Sequence, residues 1–343
     1  MPTVAFVYPN TRRELIAEWH RGVAPETNLL GLNQLAAHGF QTRVHEPRLE
    51  RGAPFLTTRL RWHLRELPLP WELRDVDVVF TPLANLVPLA ARARRRPAVV
   101  VVNYGLNSIL RRGNAARRAA LRASLRSAAA VVCLGESQRH ELLELAGLDP
   151  HRVAVVRHGV DHHFFKPTPR LGERLVIAVG KDLARDYATL ADAARDLEAH
   201  FVVVALRRNV RDVALPPNVE VRERIPWTEL RDLYARADVA VIAMRSAAFT
   251  YGSEAGGITA LLEAMASGRP VVATDRPIMR DYAVGDAGIR LVEPEDPDAL
   301  EHGILAALED DAAGAAGRRR VEAAHTMDSM AAALASVLLR AHG

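Results

Sequence analysis

Residues 251–275 read YGSEAGGITALLEAMASGRPVVATD. Two glycines, Gly256 and Gly257, open a helical run from Ile258 to Ala266. Gly268 and Pro270 stop that run before VVAT, which has the pattern of a short buried strand. A helix opened by glycine leaves its first amides unpaired and presents the positive end of its dipole, which makes a seat for an anion. Within the same run Ile258 and Thr259 follow the glycines, and Glu263 stands six residues after Gly257. A carboxylate nearly two turns along can accept hydrogen bonds from the hydroxyls of a ribose whose phosphates sit at the helix start. Anion seat and ribose carboxylate together point to nucleoside-diphosphate binding, late in the chain.

Outward from this segment, short apolar strands alternate with helical runs, the signature of a mainly parallel α/β sheet covered on both faces. Strands are expected at 4–8, 42–46, 77–81, 98–102, 130–135 and 153–159, with helices near 27–38, 56–66, 83–95, 107–127 and 137–146. A second series restarts at 175–180 and continues at 201–206, 219–224, 239–244, 270–274 and 289–293. Its helices are expected near 186–198, 227–236, 257–267, 297–309 and 311–324. Two series in tandem predict two Rossmann-like domains, 1–165 and 166–325, with the break in KPTPRLGE (166–173). A last helix, 326–343, is expected to return to the first domain.

Composition narrows the function classes. The 343 residues are 49% hydrophobic and 25% charged, as in a soluble globular protein. No run reaches the length of a membrane span, and the first residues lack a signal peptide's pattern, so a cytoplasmic protein is expected. Cys133 is the single cysteine, in a core-strand pattern, so an internal disulfide and a cysteine-based zinc site are excluded. Residues 1–165 hold 23 arginines, no lysine and 14 acidic residues, a net +9 against −5 for the remainder. A basic half can face lipid headgroups or nucleic acid. The arginine bias of the whole chain also reads as a GC-rich genome with solvated arginines, and no nucleic-acid partner is expected. The stretches FLTTRLRWHLRE (55–66) and RRGNAARRAALRASLR (111–126) together make a basic amphipathic surface, read either as a peripheral membrane contact or as ordinary core-facing stripes. No Gly-x-Gly-x-x-Gly follows the first strand and no Walker loop occurs anywhere, which argues against dehydrogenases and P-loop enzymes.

The stretch LLEAMASGRPVVAT resembles the donor-binding signature of the retaining glycosyltransferase family 4 (glycosyl transferases group 1), a family of GT-B fold. Glu263 matches the second of that family's two glutamates. The first lies eight positions earlier in the family. Here that position is Ala255, and Glu254 either fills the role through a backbone shift or the role is absent. GKDLARDY is similar to the family's diphosphate grip, so the resemblance assigns Gly180, Lys181 and Arg185 to the phosphates, with the order of the two cations exchanged. Cations there stabilise charge on the departing diphosphate. The backbone at Arg224 and Ile225 matches the loop that meets the nucleobase edge, with Trp227 read as a base stacker or as core. Gly159, Val160 and Asp161 match a Gly-Val-Asp turn close to the phosphates and acceptor. His158, His162 and His163 beside it read as surface histidines rather than metal ligands. VVNYGLNS (101–108) stands where the family often carries a histidine facing the sugar, leaving Asn103 and Tyr104 as sugar- or acceptor-side candidates or as a plain strand end.

The resemblance implies transfer of a sugar from a nucleoside diphosphate to an acceptor hydroxyl with retained configuration. It implies no metal and no cofactor beyond the donor itself, a UDP- or GDP-sugar. The expected acceptor is a small molecule or a glycolipid. A sugar-nucleotide epimerase of the same architecture and a non-catalytic nucleotide-binding partner subunit are the competing readings. The composition suits natural-product or envelope biosynthesis.

Overall fold

A computed structural model describes residues 1–9, 11–45, 69–82, 87–94, 97–285 and 287–343. Its strands form two six-stranded sheets in which every pairing is parallel. The first sheet holds β1 (Thr3–Val7), β2 (Gln41–His45), β3 (Val78–Thr81), β4 (Ala98–Val102), β5 (Ala130–Cys133) and β6 (Val153–Val155), in the order β2-β1-β3-β4-β5-β6. The second holds β7 (Leu175–Val179), β8 (His200–Val204), β9 (Val219–Arg222), β10 (Val239–Ile242), β11 (Val271–Thr274) and β12 (Ile289–Val292), in the order β12-β11-β10-β7-β8-β9. Parallel strands are covered on both faces, so they read as unbroken apolar runs rather than alternating ones. β3 (VVFT) is buried at every position and β4 (AVVVV) at all but its first.

All twelve expected strands are present; β4 has the expected bounds and the others differ by a residue or more at one or both ends. The expected strand 219–224 stops at Arg222 because Arg224 takes a left-handed φ of 56°, which a strand cannot continue. Helices depart from expectation in two places. The single helix expected over 107–127 is two helices, Leu106–Arg112 and Ala115–Ser127, separated by Gly113 and restarted by Asn114, whose side chain accepts from the Arg117 amide. The helix expected near 27–38 is only two short 3₁₀ turns, Thr27–Leu29 and Leu35–His38. Leu30 and Gly31 between them have φ of 57° and 86°, and no helix passes through two left-handed residues. The helix expected at 56–66 lies outside the described residues. Short helices at Arg13–His20, Leu69–Glu72, Arg207–Val210 and Pro277–Tyr282 were not legible from periodicity.

By packing the chain divides into two compact units. One comprises Met1–Ala17, Leu29–Arg157 and Met330–Gly343; the other comprises Glu18–Asn28 and His158–Ser329. The Pro- and Gly-rich stretch 166–173 lies inside the second unit, held by Thr168 Oγ1 donating to Ala235 O at 2.6 Å and by Arg170 against the buried Asp238 at 3.5 Å. Asp161 ties Glu18–Asn28 to that unit. Its Oδ2 accepts from the Glu26 amide at 3.1 Å, and its own amide donates to Thr27 Oγ1 at 2.9 Å. Among the described residues no helix is long and apolar enough to cross a membrane.

Candidate functional site

In the second sheet the strand order reverses direction between β7 and β10. Connections from these two neighbours leave toward opposite faces, so a crevice opens beyond their carboxyl ends, the usual ligand position in open parallel sheets. The residues singled out from the sequence stand at those ends: Gly180–Arg185 follows β7, and the glycine-rich loop before Ile258 follows β10.

The two loops are pinned to each other. Arg185 bridges Met244, the Asp186 amide donates to Ala243 O at 3.0 Å, and the Arg245 amide donates to Ala184 O at 2.8 Å. Asp182 adds a second tie, accepting from the Ala184 amide at 2.8 Å and from the Ser253 amide at 3.0 Å. Here side chains are excluded by space. A Cβ on Gly180 would lie 2.0 Å from Arg185 Nε, and one on Gly252 2.2 Å from Asp182 Oδ1. Glycine at 180 thus lets the Arg185 guanidinium lie across the strand end, where it donates to Val179 O. Arg185 is 8% exposed, and its Nε is buried with no hydrogen-bond partner among the described residues. Lys181 beside it is exposed.

Gly257 has φ 93°, and a Cβ there would meet Ile242 Cγ2 and Met279 Cε at 2.8 Å, so only glycine can start this helix. Helix Ile258–Ala266 begins with no side-chain cap, and its first intrahelical bond runs from the Leu261 amide to Gly257 O. The amides at Ile258 and Thr259 therefore keep their anion-binding character. Glu263 is on the same helix, 3% exposed. Burial pushes its carboxyl up to about 8, against the hydrogen bond from Tyr234 and the charge of Arg185, which both pull it down. Tyr234 Oη lies 3.4 Å from Glu263 Oε2. Tyr234 is buried and touches the ribose candidate, a contact across 29 residues that helical spacing could not reveal.

His158 corrects the expectation of a surface histidine. It is 2% exposed, and burial, with His325 as a second cause, lowers its imidazole to about 4. Its Nε2 lies 3.3 Å from Thr259 Oγ1. Position directly before the Gly-Val-Asp turn was the one signal that could have found it. His162 is half-buried and His163 exposed, and among the described residues no group of three or more His, Cys, Asp or Glu side chains is placed to hold a metal.

The remaining candidates fall as follows. Glu254 is 7% exposed, in the loop that also carries Gly256. Arg224 and Ile225 follow β9, two strands from β7 at the same carboxyl edge, about 10 Å away by strand spacing. Arg224 is exposed, Ile225 half-buried, and the half-buried Trp227 begins helix Trp227–Arg236. Gly159 is buried between His158 and Val160. Asn103 and Tyr104 belong to the first unit. The Asn103 side chain is fully buried and occupied by its own turn: Oδ1 accepts from the Gly105 and Leu106 amides at 3.1 and 2.8 Å, and Nδ2 donates to Asn107 Oδ1 at 2.9 Å. Tyr104 is half-buried.

The Glycosyltransferase Family 4 model matches residues 4–164 and the Glycosyl transferases group 1 model residues 176–310, one on each sheet. The chain belongs to this group of GT-B glycosyltransferases. Solved structures with the same fold include sucrose-phosphate synthase from Thermosynechococcus elongatus, at TM-score 0.75 and 17% identity over 98% of each chain. Anabaena HepE, solved with UDP and glucose, matches at TM-score 0.70 and 14% identity over 98% of this chain and 99% of its own. A glycosyltransferase from Rickettsia africae matches at TM-score 0.63 and 15% identity over 99% and 98%. No curated protein matches the chain by sequence.

Proposed function

We propose that this glycosyltransferase moves a sugar from a nucleoside diphosphate to an acceptor hydroxyl with retention of configuration, using its own cations in place of a metal. The observation that carries this reading is the uncapped, glycine-started helix at the switch point, with the buried guanidinium of Arg185 beside β7 and Glu263 on the helix itself. The amides at Gly256–Ile258 and the Thr259 hydroxyl receive phosphate oxygens. Arg185 supplies a buried donor, and Lys181 an exposed charge, to the leaving diphosphate, where stabilisation lowers the barrier. Glu263 accepts the ribose hydroxyls, and the Arg224–Ile225 backbone meets the base. The bond from the anomeric carbon to the diphosphate breaks as the bond to the acceptor oxygen forms on the same face. The acceptor's proton passes to the departing diphosphate oxygen, so no protein base is assigned. UDP bound to HepE supports a UDP-sugar as the first donor to try.

Thermal stabilisation by UDP, GDP, dTDP and ADP, with and without EDTA, tests the donor site. A nucleotide at 100 times its dissociation constant adds about 2.7 kcal/mol. One nucleotide raising the melt equally with EDTA is expected, and no shift from any of the four would remove the reading. Product NMR then reads the anomer; an inverted linkage would overturn retention.

A further inference from the structure

Thr259 is the second residue of the uncapped helix, and its hydroxyl has one proton and two lone pairs to place. A helical threonine ordinarily turns its hydroxyl to a carbonyl one turn back. Here the hydroxyl meets the imidazole of His158, 101 residues away, at 3.3 Å. That histidine is fixed from its other sides. Its amide donates to Tyr282 Oη at 3.0 Å, and the Tyr282 ring stacks on His325 with centroids 5.0 Å apart and planes at 26°. Burial keeps the ring neutral, so it carries one N–H, and the position of that proton decides what Thr259 does. If Nε2 accepts, the Thr259 proton points at histidine and oxygen lone pairs face the anion seat, which repels phosphate. If Nε2 donates, the Thr259 proton is free for a phosphate oxygen.

We propose that His158 is a positioning residue of the anion seat: as its neutral Nε2–H tautomer it donates to Thr259 Oγ1 and directs the Thr259 hydroxyl proton to a phosphate oxygen of the donor. The relay runs from Nε2–H to Oγ1, and from Oγ1–H to phosphate, with no proton transferred. It rests on the reading that the Ile258 helix holds a diphosphate, and it adds a residue from outside the two loops that form the seat.

Calorimetric binding of inorganic pyrophosphate and of the nucleoside diphosphate that stabilises the wild type, with the matching free nucleoside as control, tests this. Thr259→Val and His158→Phe are each expected to weaken the two diphosphates about tenfold, the scale of one hydrogen bond to a charged group, and to leave the nucleoside unchanged. The double variant is expected to be no weaker than either single, because both remove the same relay. His158→Gln, which retains an N–H at similar reach, restores most of the affinity. Wild-type affinity in His158→Phe, or losses that add in the double variant, overturns the proposal. Should the His158 variants fail to fold, ¹⁵N NMR of the wild-type histidines decides: a proton on Nδ1 of His158 in the diphosphate complex overturns the relay, and one on Nε2 supports it. Absence of diphosphate binding by the wild type removes the functional reading as well, a result distinct from loss in the variants alone.

Discussion

Two sheets of the same size and the same parallel build end differently. In the first unit, β1 runs into Tyr8, whose hydroxyl donates to Leu29 O at 2.6 Å while the Arg12 guanidinium covers its ring at 4.8 Å, and β4 runs into the Asn103 turn. Side chains fill these strand ends. In the second unit, β7 runs into Gly180 and β10 into a loop with Gly252, Gly256 and Gly257. There the glycines admit close neighbours, Arg185 over Gly180 and Asp182 over Gly252, and the helix after Gly257 starts with no side-chain cap on its first amides, the groups a phosphate can approach. The scaffold is common to both halves; the chemistry follows from whether glycine or a large side chain ends the strand.

The sharpest way to break this contrast is to give the second unit a side chain. Gly257→Ala places a Cβ at φ 93° within 2.8 Å of Ile242 and Met279, and it is expected to abolish measurable nucleotide binding and to lower the melting temperature. Gly39→Ala in the first unit meets nothing within 4 Å at φ 83°, and calorimetry should find only about 1 kcal/mol lost, with binding intact. Equal effects of the two substitutions would end the distinction.

Arg185→Met keeps much of the volume and removes the charge. A fall in kcat of about 10²–10³-fold is expected, the usual effect of losing one transition-state donor, with the fold retained by circular dichroism. An unchanged kcat would take Arg185 out of the chemistry.

Glu263→Gln sharpens the comparison through pH. Glu263 holds its proton up to about 8 in the fold, while an unfolded glutamate releases it from about 4.5, so between these values the unfolded chain has fewer protons bound. Wild-type stability therefore falls as pH rises from about 4.5 to about 8 and levels off above, by roughly 5 kcal/mol in scale, and the glutamine variant lacks this fall. Melting curves at pH 5, 6.5 and 8 check it; parallel profiles would refute the buried acid. Smallest is Asn103→Ala, expected to cost about 1–2 kcal/mol through unpaired amides while leaving the donor KM unchanged. A raised KM without loss of stability would return Asn103 to the sugar side and make the two units more alike.

Local pattern carried much of this molecule. Apolar runs mark the inner strands such as β3, β4, β5, β10 and β11, because a parallel strand buried on both faces needs continuous Val, Ile, Ala and Leu, whereas the edge strands β2 (QTRVH) and β9 (VEVR) are half-exposed and carry polar residues. GGIT with Glu263 marks the proposed anion seat because glycine, uncapped amides and a carboxylate at helical spacing are all near in sequence. Less legible were the interruptions: Leu30–Gly31 and Gly113–Asn114 break runs that periodicity alone joins. Nor does spacing show that Arg269 is 1% exposed, donating from Nε to Ser267 O and from Nη1 to Ala237 O at 2.9 Å each.

By itself the sequence determined the two α/β series, the proposed anion seat and the family resemblance, since each rests on residues within a few turns of one another. Only the tertiary structure decided that Gly180 exists to admit Arg185, that Tyr234 touches Glu263, that Asn103 faces its own turn, and that His158 is buried against Thr259. Two of these join segments distant in the chain, and in the two local ones, Gly180–Arg185 and the Asn103 turn, it is burial that shapes the result. Whether a polar side chain there is a solvated surface group, a structural donor or part of a site depends on which segments pack over it. Burial also sets whether the group is charged, and neither property is written in local spacing.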